Sequence, residues 1–142
     1  IRTQPYPGFP TDMQSQLMSV LCKADGVSAI HEQIFEYRFH NVNELRKMGA
    51  RIELDNESNK ATIYGVKSLH GALVKAHDLR GGAGLVIAGL AAEGTTVVTE
   101  ADSIERGYED ICRDFGVLGA KLRYCSDNEQ YMMKRHAIDA VQ

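Results

Sequence analysis

The sequence predicts an α+β fold built from two related halves. Three observations point there. Leu85-Val86-Ile87-Ala88-Gly89-Leu90-Ala91-Ala92 is apolar on every side, and a helix apolar all round belongs in a core. Helix signals and strand signals alternate along much of the chain. An early block also recurs: Ala24-Asp25-Gly26-Val27-Ser28-Ala29-Ile30-His31-Glu32 lines up with Ala92-Glu93-Gly94-Thr95-Thr96-Val97-Val98-Thr99-Glu100, 68 positions on. Arg38 and Arg106 share that offset, and Met48-Gly49-Ala50-Arg51 matches Leu118-Gly119-Ala120-Lys121 at 70, after a two-residue insertion. An ordered series of matches marks an internal repeat.

The elements follow in order. Pro5, Pro7 and Pro10 are the only prolines, and each X-Pro step disfavours helix, so the opening stretch reads as extended or turn structure. It is an odd way to begin a domain, and predicts a cut from something longer. Thr11 or Asp12 caps a helix whose apolar positions are Leu17, Val20, Leu21 and Ala24. Asp25-Gly26 stops it, glycine being the favoured terminator, and Val27 to His31 reads as a strand. Asn41 and Glu44 have capping-box spacing, with Leu45 and Met48 facing inward and Gly49 as the stop. Arg51–Leu54 and Ala61–Tyr64 form a hairpin over the polar loop Asp55–Asn59. Leu73-Val74 reads as a further short strand. In the second half a short helix is expected from about Arg106 to Leu118. Each copy thus reads helix, strand, helix, strand, and the first has an extra strand behind it.

The entrance to the apolar helix is Asp78-Leu79-Arg80-Gly81-Gly82-Ala83-Gly84. Free N–H groups, a positive dipole end and little side chain suit anion capture. The same residues also suit a capped core helix with small residues for close packing. The repeat adds a constraint. Asp12 stands at the mouth of one first helix, Asp78 and Arg80 at the other, and Arg38 and Arg106 follow the two strands. Copies packed about a shared axis would gather two carboxylates and up to three guanidiniums, and convergent charge of that kind marks a ligand site. From the residues alone, Asp12 reads as an N-cap, Asp78 as a local partner of Arg80, and Arg106 as a first-turn residue, where a cation is mildly unfavourable. Arg38 stays open between a structural and a ligand-proximal role.

Composition limits the function classes. The 142 residues suffice for one domain with a real core. A net charge of −3 leaves no nucleic-acid footprint. There is no signal-peptide pattern, and no apolar run reaches the roughly 20 residues that a bilayer requires. Three cysteines, Cys22, Cys112 and Cys125, lack CxxC spacing and fit a reducing, cytoplasmic setting better than a disulfide framework. Five scattered histidines show no metal-ligand spacing, so no metal site is expected.

Thr3-Gln4-Pro5-Tyr6-Pro7-Gly8-Phe9-Pro10-Thr11-Asp12-Met13-Gln14 resembles a hallmark of the UDP-N-acetylglucosamine enolpyruvyl transferases. Phe35-Glu36-Tyr37-Arg38-Phe39, Asp78-Leu79-Arg80 and Arg106-Gly107-Tyr108-Glu109 fall in that family's order and approximate spacing. The resemblance covers about Thr3 to Tyr124. The relative acting on shikimate 3-phosphate is a poorer match to Pro-Gly-Phe-Pro-Thr-Asp. The resemblance implies repeated βαβαββ units, an inside-out barrel with helices inside and sheets outside. Repeat one would run from about 10 to 65, repeat two from about 72 to 125, with a tail at 126–142. It also implies a reaction. The enolpyruvyl group of phosphoenolpyruvate would pass to the 3-hydroxyl of UDP-N-acetylglucosamine by addition and elimination, with no metal or organic cofactor, opening peptidoglycan synthesis.

Carried over by position, Asp12 matches the general base near the sugar hydroxyl, and Ile34 the residue whose backbone contacts the sugar nucleotide. Asp78 matches a second carboxylate implicated in proton transfer, and Arg80 and Arg106 match arginines that hold phosphoenolpyruvate. The chemistry agrees: a hydroxyl nucleophile needs a base within hydrogen-bond reach, and an anionic substrate suits bidentate guanidiniums. The family's reactive cysteine, a lysine-asparagine pair and another substrate-binding arginine find no match here. The chain is therefore expected to be the last third of the enzyme, lacking the N-terminal domain and inactive alone. The alternative is a stand-alone, non-catalytic module that binds a sugar nucleotide or another anion.

Overall fold

The computed structural model describes residues 1–125 and the strand Ala137–Val141. Its helices are α1 (Gln14–Leu21), α2 (Val42–Lys47), α3 (Leu79–Leu90), α4 (Asp102–Glu105) and α5 (Ile111–Val117). Its strands are β1 (Val27–His31), β2 (Arg51–Asp55), β3 (Lys60–Tyr64), β4 (Leu69–His70), β5 (Leu73–Lys75), β6 (Ala92–Glu93), β7 (Thr95–Thr99), β8 (Leu122–Cys125) and β9 (Ala137–Val141). A 3-10 turn, Thr11–Met13, leads into α1.

Two antiparallel three-strand arrangements dominate. One has the order β1-β3-β2; in the other, β7-β9-β8, the same order appears with β5 added in parallel at the β7 edge. The second half therefore has its own returning strand, β9, which its local sequence did not announce. The opening segment is also pinned: Arg2 and His31 form a parallel bridge, and the Thr3 N–H donates to the His31 carbonyl at 3.0 Å.

Helix α3 is buried along most of its length, as its composition dictates. It packs on β7 and β9, and on its other side against α1, which in turn touches β1 and β3. The two helices approach closely because small residues meet. A Cβ added to Gly84 would lie 2.8 Å from the Ser15 carbonyl oxygen and 3.1 Å from Ser19 Oγ. This contact shifts the expected apolar face of α1, of which Leu21 still packs against the core. Its buried residues are Gln14, Ser15, Gln16, Met18 and Ser19, whereas Val20 is 54% exposed. Backbone proximity, not local hydrophobicity, selects the inward face.

Two further expectations are corrected. Asn41 does not cap α2. Its backbone is helical (φ −76°, ψ −11°), not the extended form of a capping residue, and its buried side chain makes no hydrogen bond to the described residues. Glu44 turns away instead, accepting from Lys47 Nζ (2.8 Å) and the Lys75 backbone N–H (2.9 Å), and so ties α2 to β5. Burial pushes Glu44 up, but these bonds outweigh it and leave the carboxyl below its usual range. The helix expected from Arg106 to Leu118 is shorter: α4 ends at Glu105, just before the expected start, and α5 begins only at Ile111. Gly107 passes so close to Leu79 that an added Cβ would come within 2.9 Å of its side chain, and Asp110 starts a fresh helix by accepting from the Arg113 N–H at 2.9 Å.

Candidate functional site

The start of α3 builds one wall. Asp78 has extended backbone (φ −153°, ψ 168°), and its Oδ1 accepts from the Gly81 N–H at 2.7 Å. This is the N-cap geometry that satisfies one of the free donors of a first turn. Arg80 lies in that turn, two residues past the cap. The 3-10 turn before α1 builds the facing wall and presents Asp12, whose side chain is 55% exposed. The loop after β1 supplies Phe35 and Arg38.

These pieces meet on the Asp12 carboxylate. Arg38 Nη2 donates to Asp12 Oδ1 at 2.7 Å, and Arg80 Nη2 donates to Oδ2 at 3.1 Å. The Arg38 hydrogen bond holds the Asp12 carboxyl below the usual aspartate range, against the effect of burial and with help from Arg80. Each guanidinium also lies over a ring. Arg38 stands 4.8 Å from the Phe35 centroid and Arg80 5.6 Å from that of Tyr108, within the range of cation–π attraction. Tyr108 Oη accepts from Gln16 Nε2 at 2.7 Å and from Arg80 Nη1 at 3.3 Å. The Tyr108 hydroxyl and Asp12 together raise the affinity of Arg80 for its proton.

A cavity of about 490 Å³ opens over this cluster, and Asp12, Arg38, Asp78, Arg80 and Arg106 all line it. Ile34 lines an adjoining hollow of about 480 Å³ with Thr11 and Asp12. Asp12 and Phe35 border both. The structure thus brings four of the sequence-derived candidates into one concavity and seats the fifth, Ile34, next door. Arg38, left open from the sequence, is a direct partner of Asp12. Asp78 is spent in part on capping. Arg106 is exposed at the end of α4 and forms no ion pair with the described residues.

Sequence reasoning gave no site role to Tyr108, Gln16, Thr11 and Glu32, although Thr11 stood as a candidate cap and Tyr108 within a family-like stretch. Gln16 and Tyr108 are 92 residues apart, so no local pattern links them. Glu32 did stand in the recurring block, but nothing local marks it as buried. Of the three cysteines, Cys22 lies in the core, where burial pushes its thiol up to about 11. That makes it a packing residue, since the thiolate is the reactive form.

The family model described as EPSP synthase (3-phosphoshikimate 1-carboxyvinyltransferase) matches residues 1–115. The chain is 51% identical over 131 residues to UDP-N-acetylglucosamine 1-carboxyvinyltransferase 1 of Carboxydothermus hydrogenoformans, across 92% of this chain and 31% of that relative. It is 55% identical over 122 residues to the protein of the same description from Clostridium perfringens, across 86% of this chain and 28% of the relative. The chain therefore spans less than a third of the length of these curated relatives. Among solved structures, the enolpyruvyl transferase NikO from Streptomyces tendae matches with a TM-score of 0.76 at 31% identity, over 85% of this chain and 28% of that one. EPSP synthase from Acinetobacter baumannii shares the fold, with a TM-score of 0.65 at 23% identity over 92% of this chain and 29% of its own.

Proposed function

Since the chain belongs to the EPSP synthase family of enolpyruvyl transferases, we propose that it forms one part of a UDP-N-acetylglucosamine 1-carboxyvinyltransferase. In this reading residues 10–65 and 72–125 belong to two βαβαββ repeats of a longer, inside-out arrangement, the second closed by β9. The cavity is one wall of a cleft completed by the rest of a cytoplasmic enzyme. The reaction moves the enolpyruvyl group of phosphoenolpyruvate to the sugar 3-hydroxyl, toward peptidoglycan. The observation that carries the reading is the Asp12 carboxylate held between Arg38 and Arg80, where the cavity meets the hollow lined by Ile34.

The chemistry follows from that placement. Addition needs a base at the sugar hydroxyl, and an ionised carboxylate at a cavity mouth supplies one. Asp12 held by two guanidiniums is ionised but weakly basic. Phosphoenolpyruvate bound by Arg80 and Arg106 draws Arg80 away from Asp12 and so restores basicity when both substrates are present. Asp78 stands across the cavity to handle a proton of the later elimination, in which phosphate leaves. Holding both reactants in register supplies much of the acceleration.

Calorimetric titration of the chain with UDP-N-acetylglucosamine, beside a phosphate-release assay with both substrates, tests this. The expected result is measurable binding that is weakened by Asp12→Ala, with no phosphate released. Phosphate release at an ordinary enzymatic rate would overturn the view that other parts of the cleft are needed. Absence of binding together with a native fold would remove the sugar nucleotide from the site.

A further inference from the structure

Glu32 is buried, only 3% exposed, just beyond the end of β1, and no cationic side chain among the described residues pairs with it. Four hydrogen bonds satisfy it instead. Oε1 accepts from Thr3 Oγ1 (2.7 Å) and from the backbone N–H groups of Ile34 (2.9 Å) and Phe35 (3.2 Å). Oε2 accepts from Thr11 Oγ1 at 2.9 Å. A buried carboxylate is costly unless satisfied in this way.

The direction of these bonds is fixed by chemistry. A carboxylate only accepts and a guanidinium only donates, while a hydroxyl has one proton and two lone pairs. Thr11 therefore gives its proton to Glu32 and accepts from Arg38 Nη1 at 2.7 Å. Arg38 passes its second amino group to Asp12. Thr3 does the same on the other side, donating to Glu32 and accepting from the Gln33 N–H at 2.8 Å. One oxygen thus sets the loop 33–35, and the other sets the Thr11–Arg38–Asp12 chain.

We propose that Glu32 is a positioning residue that couples the loop carrying Ile34 to the carboxylate of Asp12. The consequence for function rests on the reading above, in which that loop meets the sugar nucleotide and Asp12 its hydroxyl; the coupling itself does not. An amide in place of the carboxylate has one accepting oxygen. In Glu32→Gln that oxygen stays with its three donors, and Thr11 loses its acceptor.

Nuclear magnetic resonance of the 142-residue chain tests the coupling, following the Ile34 and Phe35 amides, the Arg38 side-chain N–H groups and the Asp12 carboxyl carbon. Thr11→Val and Glu32→Gln are expected to displace the Arg38 and Asp12 signals, and Thr11→Ser, which keeps the hydroxyl, to restore them. Melting temperature is recorded in parallel. Lower melting with the Arg38 and Asp12 signals unmoved would reduce Glu32 to a stability role and overturn the proposal. If Glu32→Gln does not fold, the Thr11 pair decides the question alone. Titration with UDP-N-acetylglucosamine then reads the consequence. Thr11→Val should weaken binding by about tenfold, the scale of one lost hydrogen bond to a charged group. If the native chain binds none, the functional reading fails while the signal displacements still decide the coupling.

Discussion

The two halves of the molecule hold equivalent residues in unlike surroundings. Gly26 and Gly94, 68 positions apart, both turn with positive φ (94° and 88°). Gly49 and Gly119 do likewise (89° and 93°). Yet Met48 is wholly buried while its counterpart Leu118 is 80% exposed. Glu32 is enclosed by four donors, whereas Glu100 is exposed with Lys75 at 3.9 Å. The first half lies under the opening segment and is tied to β5 through Glu44. The glycine turns are thus common to both copies, while burial and charge pairing differ between them.

The helix mouths show the same divergence, with a functional outcome. Pro10 stands where Asp78 does in the second half, 68 positions earlier, and it has no side-chain acceptor to offer. The first mouth therefore opens through a 3-10 turn that holds Asp12 out, while the second begins a capped helix that fixes Arg80. Asp12 and Arg80 are themselves 68 positions apart. Equivalent positions meet at the junction, and opposite charges there turn what would be repulsion between like copies into an ion pair.

The contrast can be broken most severely at the matched pair Met48 and Leu118. Met48→Ala should cost about 2–5 kcal/mol, as expected for truncating a fully buried side chain. Leu118→Ala should stay within about 0.5 kcal/mol, as surface changes do. Urea unfolding of both variants checks this, and equal losses would make the two surroundings alike. Next come two helical glycines. Gly84→Ala meets the Ser15 carbonyl and should lose about 1–3 kcal/mol. Gly116→Ala in α5 has open space around it and should gain up to about 1 kcal/mol. Thermal melting separates the two signs.

Removing the cap tests the helix mouths. Asp78→Ala should cost about 1 kcal/mol, the usual worth of an N-cap side chain, and amide exchange in the first turn of α3 should quicken. Pro10→Ala should leave the α1 amides unchanged. The smallest effect is expected at Asp12. Its folded pKa is depressed by Arg38 first, so its contribution is complete above the ordinary value of 3.8 and is lost as the pH falls below it. With the Asp12 side chain half exposed, the pair contributes little. Acid unfolding of Asp12→Asn should therefore be slightly less steep than that of the native chain, and a difference confined to neutral pH would contradict the pairing.

Some of this was legible beforehand. The strand Val27–His31, the burial of α3, the glycine stops and the gathering of Asp12, Asp78, Arg80 and Arg106 all rest on local signals or on the repeat. The inward face of α1 was not, because Ser15 and Ser19 are buried by a glycine on another helix. Neither were the partners of Glu44, Tyr108 and Glu32, which lie 21 to 92 residues away in every bond but the nearest few.

By itself, then, the sequence determined much of the backbone: where glycines turn the chain, most of the early helices and strands, and that two copies of one pattern are present. Those choices depend on φ preferences, caps and periodicity within a few residues. Only the tertiary structure decided which copy is covered, which carboxylate is enclosed, and that Asp12 is shared between two arginines. Those outcomes depend on desolvation and donor geometry, and both come into being only when distant segments close on one another.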